Sequence, residues 1–222
     1  MTLPERILFI GAHCDDIELC AGGLLARACF AGSRVGVLVF SDHRGVVDDA
    51  TARQARREFE DNVAWLRSES GTDVRDHSGD MLPACRGAFE AERGRLYAAM
   101  EALRDEYDWV VTHAATDTNQ DHRQVAAEAT RVFKAHATLL AGEFPNNDVG
   151  GFTPQVYVAL SVRELDAKAR MIESYRSQSF GGRPYIDGDV VRALARVRGS
   201  QIREAAAEAF AVATRVVVRG PQ

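Results

Sequence analysis

The chain has 222 residues, 46% of them hydrophobic and 27% charged, with 18 Gly and 6 Pro. That excludes collagen-like and disordered classes and suits one globular domain spanning 1–222. The net charge of −5, with Arg53, Arg56 and Arg57 interleaved among Glu58, Glu60 and Asp61, excludes a basic stripe for nucleic acid.

In chain order, Arg6–Ala12 reads as a buried strand and Leu19–Ala31 as a helix ended by Gly32. Arg34–Ser41 is the second strand, Ala50–Arg67 an amphipathic helix, and a weaker extended segment lies near Asp73. A helix is expected over Phe89–Glu106, a strand at Trp109–Thr112, a helix over Gln120–Ala137 and a strand at Thr138–Glu143. Gln155–Ser161 reads as another strand, followed by helices over Val162–Tyr175 and Gly188–Phe210 and a closing strand at Val212–Val218. This alternation predicts an α/β fold with a Rossmann-like, doubly wound, mostly parallel sheet and helices on both faces. No run reaches the roughly eighteen apolar residues of a membrane span, and no secretory leader pattern is present. Cys14, Cys20, Cys29 and Cys85 form no C-x-x-C pair, so reduced thiols and a cytoplasmic location are expected.

The chemistry is concentrated where the first strand ends. Gly11-Ala12-His13-Cys14-Asp15-Asp16-Ile17-Glu18 places a His and three carboxylates within six residues, at the strand end where open α/β sheets bind ligands. No G-x-G-x-x-G loop follows that strand, which argues against a dinucleotide site. A His nitrogen and an Asp oxygen suit zinc, with ferrous iron able to share such donors. The second Asp is then left to reach a water. A third ligand must come from elsewhere. In a sheet of order 3-2-1-4-5, the fourth strand neighbours the first, bringing His113 and Asn119-Gln120-Asp121-His122 to the same crevice.

AHCDDIE and NQDH together resemble the signature of the PIG-L/LmbE-like family of zinc-dependent N-deacetylases, A-H-P-D-D-x-E with a downstream H-x-D-H. Tyr175-Arg176-Ser177-Gln178, Arg198-Gly199 and Ala207-Glu208-Ala209-Phe210 resemble that family's C-terminal region. The resemblance implies His13, Asp16 and His122 as zinc ligands and Asp15 as general base. It also implies removal of acetyl from an N-acetylglucosamine-type sugar or conjugate.

Two positions depart from the pattern. Cys14 replaces Pro, so a stiffening φ restraint is absent; a redox role or a fourth metal ligand is the other reading of that thiol. Asn119 replaces the first downstream His; Asn donates a hydrogen bond but carries no proton. Asn119 or His113 is therefore the candidate oxyanion donor, and a different amide or ester, or a metal-retaining homologue without turnover, is the alternative. Glu18 and Asp121 are candidates to orient the ligands, and either Asp15 or Asp121 also suits a helix start. In the turn Asp42-His43-Arg44-Gly45, Arg44 is the candidate substrate contact. Ser179–Tyr185 reads as a connector whose Gly pair and aromatic residues would also suit a lid, and His77 and His136 as surface residues. The partner expected is a small N-acetyl sugar, with a homo-oligomer left open.

Overall fold

Arg6–His13 forms β1, and every residue after Arg6 in it is buried, as befits a central parallel strand covered on both faces. Its alternate residues feed two cores. Ile7 and Phe9 pack with residues of α1 (Asp16–Phe30), α2 (Asp49–Ser70) and α6 (Val162–Glu173). Leu8 and Ile10 pack with those of α3 (Ala88–Ala91), α4 (Arg93–Glu101) and α5 (Gln120–Phe133).

The computed structural model describes residues 3–84, 87–179 and 183–217. Among them a seven-stranded sheet runs in the order β3-β2-β1-β4-β5-β7-β6. Here β2 is Arg34–Ser41, β3 Val74–Asp76, β4 Trp109–Thr112, β5 Thr138–Gly142, β6 Val156–Ala159 and β7 Ala207–Val212. The first five strands in that order are parallel, and β7 is antiparallel to both neighbours. The doubly wound α/β class and the order 3-2-1-4-5 therefore hold, with an antiparallel pair added at one edge. No helix of the described residues is long and apolar enough to cross a membrane.

The expected helix over Phe89–Glu106 is instead two short helices, because Glu92 leaves helical geometry between them (φ −96°, ψ 15°). The expected helix to Phe210 stops as α7, Gly188–Ser200. There the backbone of Ala206 and the carbonyl of Glu204 press onto Gly199, where a Cβ would lie 2.7 Å from both. This tight return lets Ala207–Val212 become β7, earlier than the closing strand expected at Val212–Val218; Val218 itself lies outside the described residues.

Glu208 shows why an Ala- and Glu-rich stretch is a strand here. Helix α1 departs from helical geometry at Ala21 (φ −145°, ψ 17°). The break frees the N–H groups of Gly23 and Leu24, which donate to Glu208 at 2.8 and 2.7 Å. Lys168 Nζ of α6 completes the buried carboxylate's shell at 2.7 Å. Tertiary partners override local helix propensity.

Candidate metal centre

His13 is the last residue of β1 and Asp16 the first of α1. The turn between them closes when the His13 N–H donates to Asp16 Oδ2 at 2.7 Å. Three imidazoles then surround this one carboxylate. His13 Nδ1 and His113 Nε2 each lie 3.2 Å from Oδ2, and His122 Nε2 lies 3.3 Å from Oδ1. Burial alone would raise the Asp16 pKa, but His122, His13 and His113 hold it well below the usual carboxylate range. Burial likewise opposes charge on His13 and His122, yet Asp16, joined by Asp121 at His13 and by Asp117 at His122, outweighs it, lifting His13 to about 10 and His122 to about 9.

His13, Asp16 and His122 are all buried, and one ligand atom from each lies within 4.8 Å of the others. Two nitrogens and a carboxylate oxygen, with one side open, are a donor set for a catalytic zinc or similar divalent ion. The open side faces a pocket of about 230 Å³ lined by all three together with Asp15, His43 and Asn119. Asp121 Oδ1 is buried beside it without a hydrogen-bond partner. The residues fit a divalent metal.

Behind the candidate ligands, Asp117 Oδ2 lies 2.7 Å from His122 Nδ1. A carboxylate on the far nitrogen fixes the tautomer and directs Nε2 forward. Sequence reasoning missed Asp117; the available signal was an acid five residues before His122 in the strand–helix loop. Asp121 does reach a candidate ligand, with Oδ2 3.2 Å from His13 Nε2. Glu18 does not take the ligand-orienting place expected of it. It accepts from Tyr175 OH at 2.8 Å and Asn62 Nδ2 at 3.2 Å, tying α1 to α2 and to the segment that follows α6. Burial pushes its pKa up to about 8.

Asp15 precedes α1 but makes no side-chain capping bond, so its carboxylate is left to the pocket it lines. Asn119, not Asp121, caps α5, its Oδ1 accepting from Asp121 N at 2.9 Å. That commitment leaves Nδ2 as the donor available at the pocket wall. His113 sits behind this wall and is not among the lining residues. Its Nε2 accepts from Ala12 N at 2.9 Å and its ring stacks on His122 with centroids 3.9 Å apart. Burial and the neighbouring His122 push its pKa down.

Arg44 turns away from the pocket. Its guanidinium grips Asp42 at 2.8 and 2.6 Å, while its neighbours His43 and Val46 line the cavity. The arginine that lines it is Arg183, with Tyr185 beside it; Phe180, Gly181 and Gly182 of that connector lie outside the described residues. Cys14 is packed in the core, outside the residues that line the pocket, and burial raises its pKa well above the ordinary thiol value. Cys20 and Cys29 are also buried and free; Cys85 lies outside the described residues. His77 is half-buried, not a surface residue, with Nε2 2.7 Å from Tyr107 OH, while His136 pairs with Asp105 as an exposed contact.

The family model described as PIG-L, GlcNAc-PI de-N-acetylase, matches residues 8–133, from within β1 to the end of α5. An Escherichia coli (strain K12) relative, "Uncharacterized deacetylase YaiS", is 24% identical over 178 residues, covering 78% of this chain and 91% of that one. Among solved structures, the chain is similar to the N,N'-diacetylchitobiose deacetylase from Pyrococcus horikoshii. The TM-score is 0.68 at 19% identity, over 94% of this chain and 83% of that one. It is also similar to GalB, the 4-carboxy-2-hydroxymuconate hydratase from Pseudomonas putida KT2440. That TM-score is 0.67 at 16% identity, over 98% and 100% of the two chains. These structural likenesses establish the fold, which serves more than one reaction. The family match covers more than half of the chain and includes the complete His13–Asp16–His122 cluster: the chain belongs to the PIG-L family of deacetylases.

Proposed function

We propose that this chain is a metal-dependent amidohydrolase that removes the acetyl group from an N-acetylated amino sugar or its conjugate. The observation that carries the reading is one pocket lined by a three-ligand cluster, His13, Asp16 and His122, and by a separate carboxylate, Asp15. A divalent ion held by those ligands, zinc by the character of the donors, supplies Lewis acidity toward water and the amide carbonyl.

The chain's own groups do the rest. Asp15 accepts a proton from the attacking water and returns it to the departing amine. Asn119 Nδ2 donates to the developing oxyanion, its direction fixed because Oδ1 is held by the helix backbone. Asp117 and Asp121 hold the imidazoles of His122 and His13. Arg183 and Tyr185 line the outer wall and face the sugar, in place of Arg44. At about 230 Å³ the pocket is smaller than the roughly 300–1,000 Å³ of drug-sized ligand sites. It therefore receives the acetamido end of a substrate rather than a whole glycoconjugate.

Asn119 in place of a histidine favours one second reading, hydrolysis of another amide or an ester by the same centre. Metal-loaded protein assayed for acetate release on a panel of N-acetyl sugars, alongside simple acyl esters, separates the two. Acetate release from a sugar amide supports the proposal. Ester cleavage alone supports the second reading, and no turnover by metal-loaded protein would indicate a binding homologue.

A further inference from the structure

The turn after β2 holds an imidazole to which the reading above gives no task. His43 is buried, its ring lies parallel to that of His13 at 4.9 Å, and it lines the pocket. Its Nε2 is 3.3 Å from Asp15 Oδ1, yet that nitrogen has no aligned hydrogen-bond partner. The backbone is in the left-handed region, φ 67°, which is unfavourable for a residue with a Cβ. Three hydrogen bonds hold it there. His43 N donates to Ser41 Oγ at 3.1 Å, and its carbonyl accepts from Val46 N and Val47 N at 3.1 and 3.2 Å. Strained backbone held by its surroundings clusters at functional sites, and here it aims a ring at the proposed base.

Resting on the deacetylase reading, we infer that His43 is the positioning residue for Asp15. Its Nε2–H donates to Oδ1 and leaves Oδ2 as the oxygen that takes the proton from water. The contact shortens when substrate closes the pocket, as catalytic hydrogen bonds that are long in the free enzyme do. A carboxylate anchored on one oxygen has one proton-accepting direction, so the effect falls on turnover and not on substrate affinity.

Two substitutions test this. His43→Asn keeps a residue that tolerates positive φ, but its amide stops short of Asp15. His43→Gln places an amide nitrogen near the Nε2 position. The expected result is about a 100-fold loss of kcat for Asn and less than about a 10-fold loss for Gln, with KM and bound metal unchanged. Full activity in the Asn variant, or equal losses in both together with loss of metal, would overturn the inference. A second readout does not need turnover: the His43 side-chain ¹⁵N resonances should move on Asp15→Asn and stay in place on Asp121→Asn. Absence of amide cleavage by the metal-loaded wild type would defeat the deacetylase reading, while the resonance shift still decides the His43–Asp15 pairing.

Discussion

Asp117 Oδ2 and His122 Nδ1 are 2.7 Å apart, both side chains fully enclosed. Asp117 also organises its own loop, with Oδ1 accepting from Asn119 N at 2.8 Å and its carbonyl from Arg123 Nη1 at 2.9 Å. One carboxylate thus orients a proposed ligand and the start of the helix that carries it. Asp117→Asn should weaken metal binding about 10- to 100-fold, the range seen when such outer partners are removed. Competition against a chromophoric chelator measures this, and unchanged affinity would remove Asp117 from the metal centre.

Asn119 has two separable tasks. Asn119→Ser keeps a side-chain oxygen that can cap α5, so stability should fall by no more than about 1 kcal/mol. The amide donor is lost, and kcat should drop about 100-fold or more if that donor meets the oxyanion. Urea titration and steady-state kinetics on the same preparation distinguish the two tasks. Retained turnover would show that the oxyanion donor lies elsewhere.

Glu208 joins β7 to the break in α1 and to Lys168. Glu208→Ala leaves two backbone N–H groups and an ammonium buried without their partner. A loss of roughly 3–5 kcal/mol is expected, as for other broken buried pairs, far more than a surface substitution costs. Chemical denaturation checks this, and a loss below about 1 kcal/mol would contradict the role given to the carboxylate.

Glu164 supplies a pH dependence remote from the metal centre. Burial by itself would raise its pKa; the Arg27 guanidinium, at 3.0 and 2.9 Å, and the Ser161 N–H, at 2.6 Å, outweigh this and hold it below the ordinary value. The folded state therefore releases the proton more readily than the unfolded chain. The resulting stability is fully present above the unfolded value of about 4.3 and is lost as pH falls through the lower folded value. Glu164→Gln should be less stable than wild type at pH 7 by roughly 0.5–1 kcal/mol, given the pair's partial exposure. That difference should shrink on acidification below pH ~4. Urea unfolding across that range measures it, and a difference that grows on acidification would contradict the sign.

Much of this is legible in the amino-acid sequence. β1, β2, β4 and β5 announce themselves as apolar, β-branched runs because both their faces are covered. Their order puts His122 opposite His13 from a distance of more than a hundred residues. What escaped depends on tertiary partners. Ala207–Phe210 has helix-forming residues and becomes a strand because Glu208 meets freed N–H groups in α1. Asp117 gains meaning only when its loop folds back on His122. His43, not Arg44, points inward because the positive φ at His43 swings the turn, which residue type alone does not announce. Glu18, close in sequence to the candidate ligands, points to the opposite side of α1, since two residues of helix rotation, about 200°, separate it from Asp16 on the pocket-lining face.

Ligand and base are proposed as different residues in one pocket, and Asp15→Asn measured beside Asp16→Asn separates their roles. Metal content by elemental analysis and acetate release from an N-acetyl amino sugar are read on both proteins. Asp15→Asn is expected to retain its metal while acetate release falls by about 100-fold or more, whereas Asp16→Asn is expected to lose both. Acetate release undiminished in Asp15→Asn, or metal retained in full by Asp16→Asn, would contradict that division of roles.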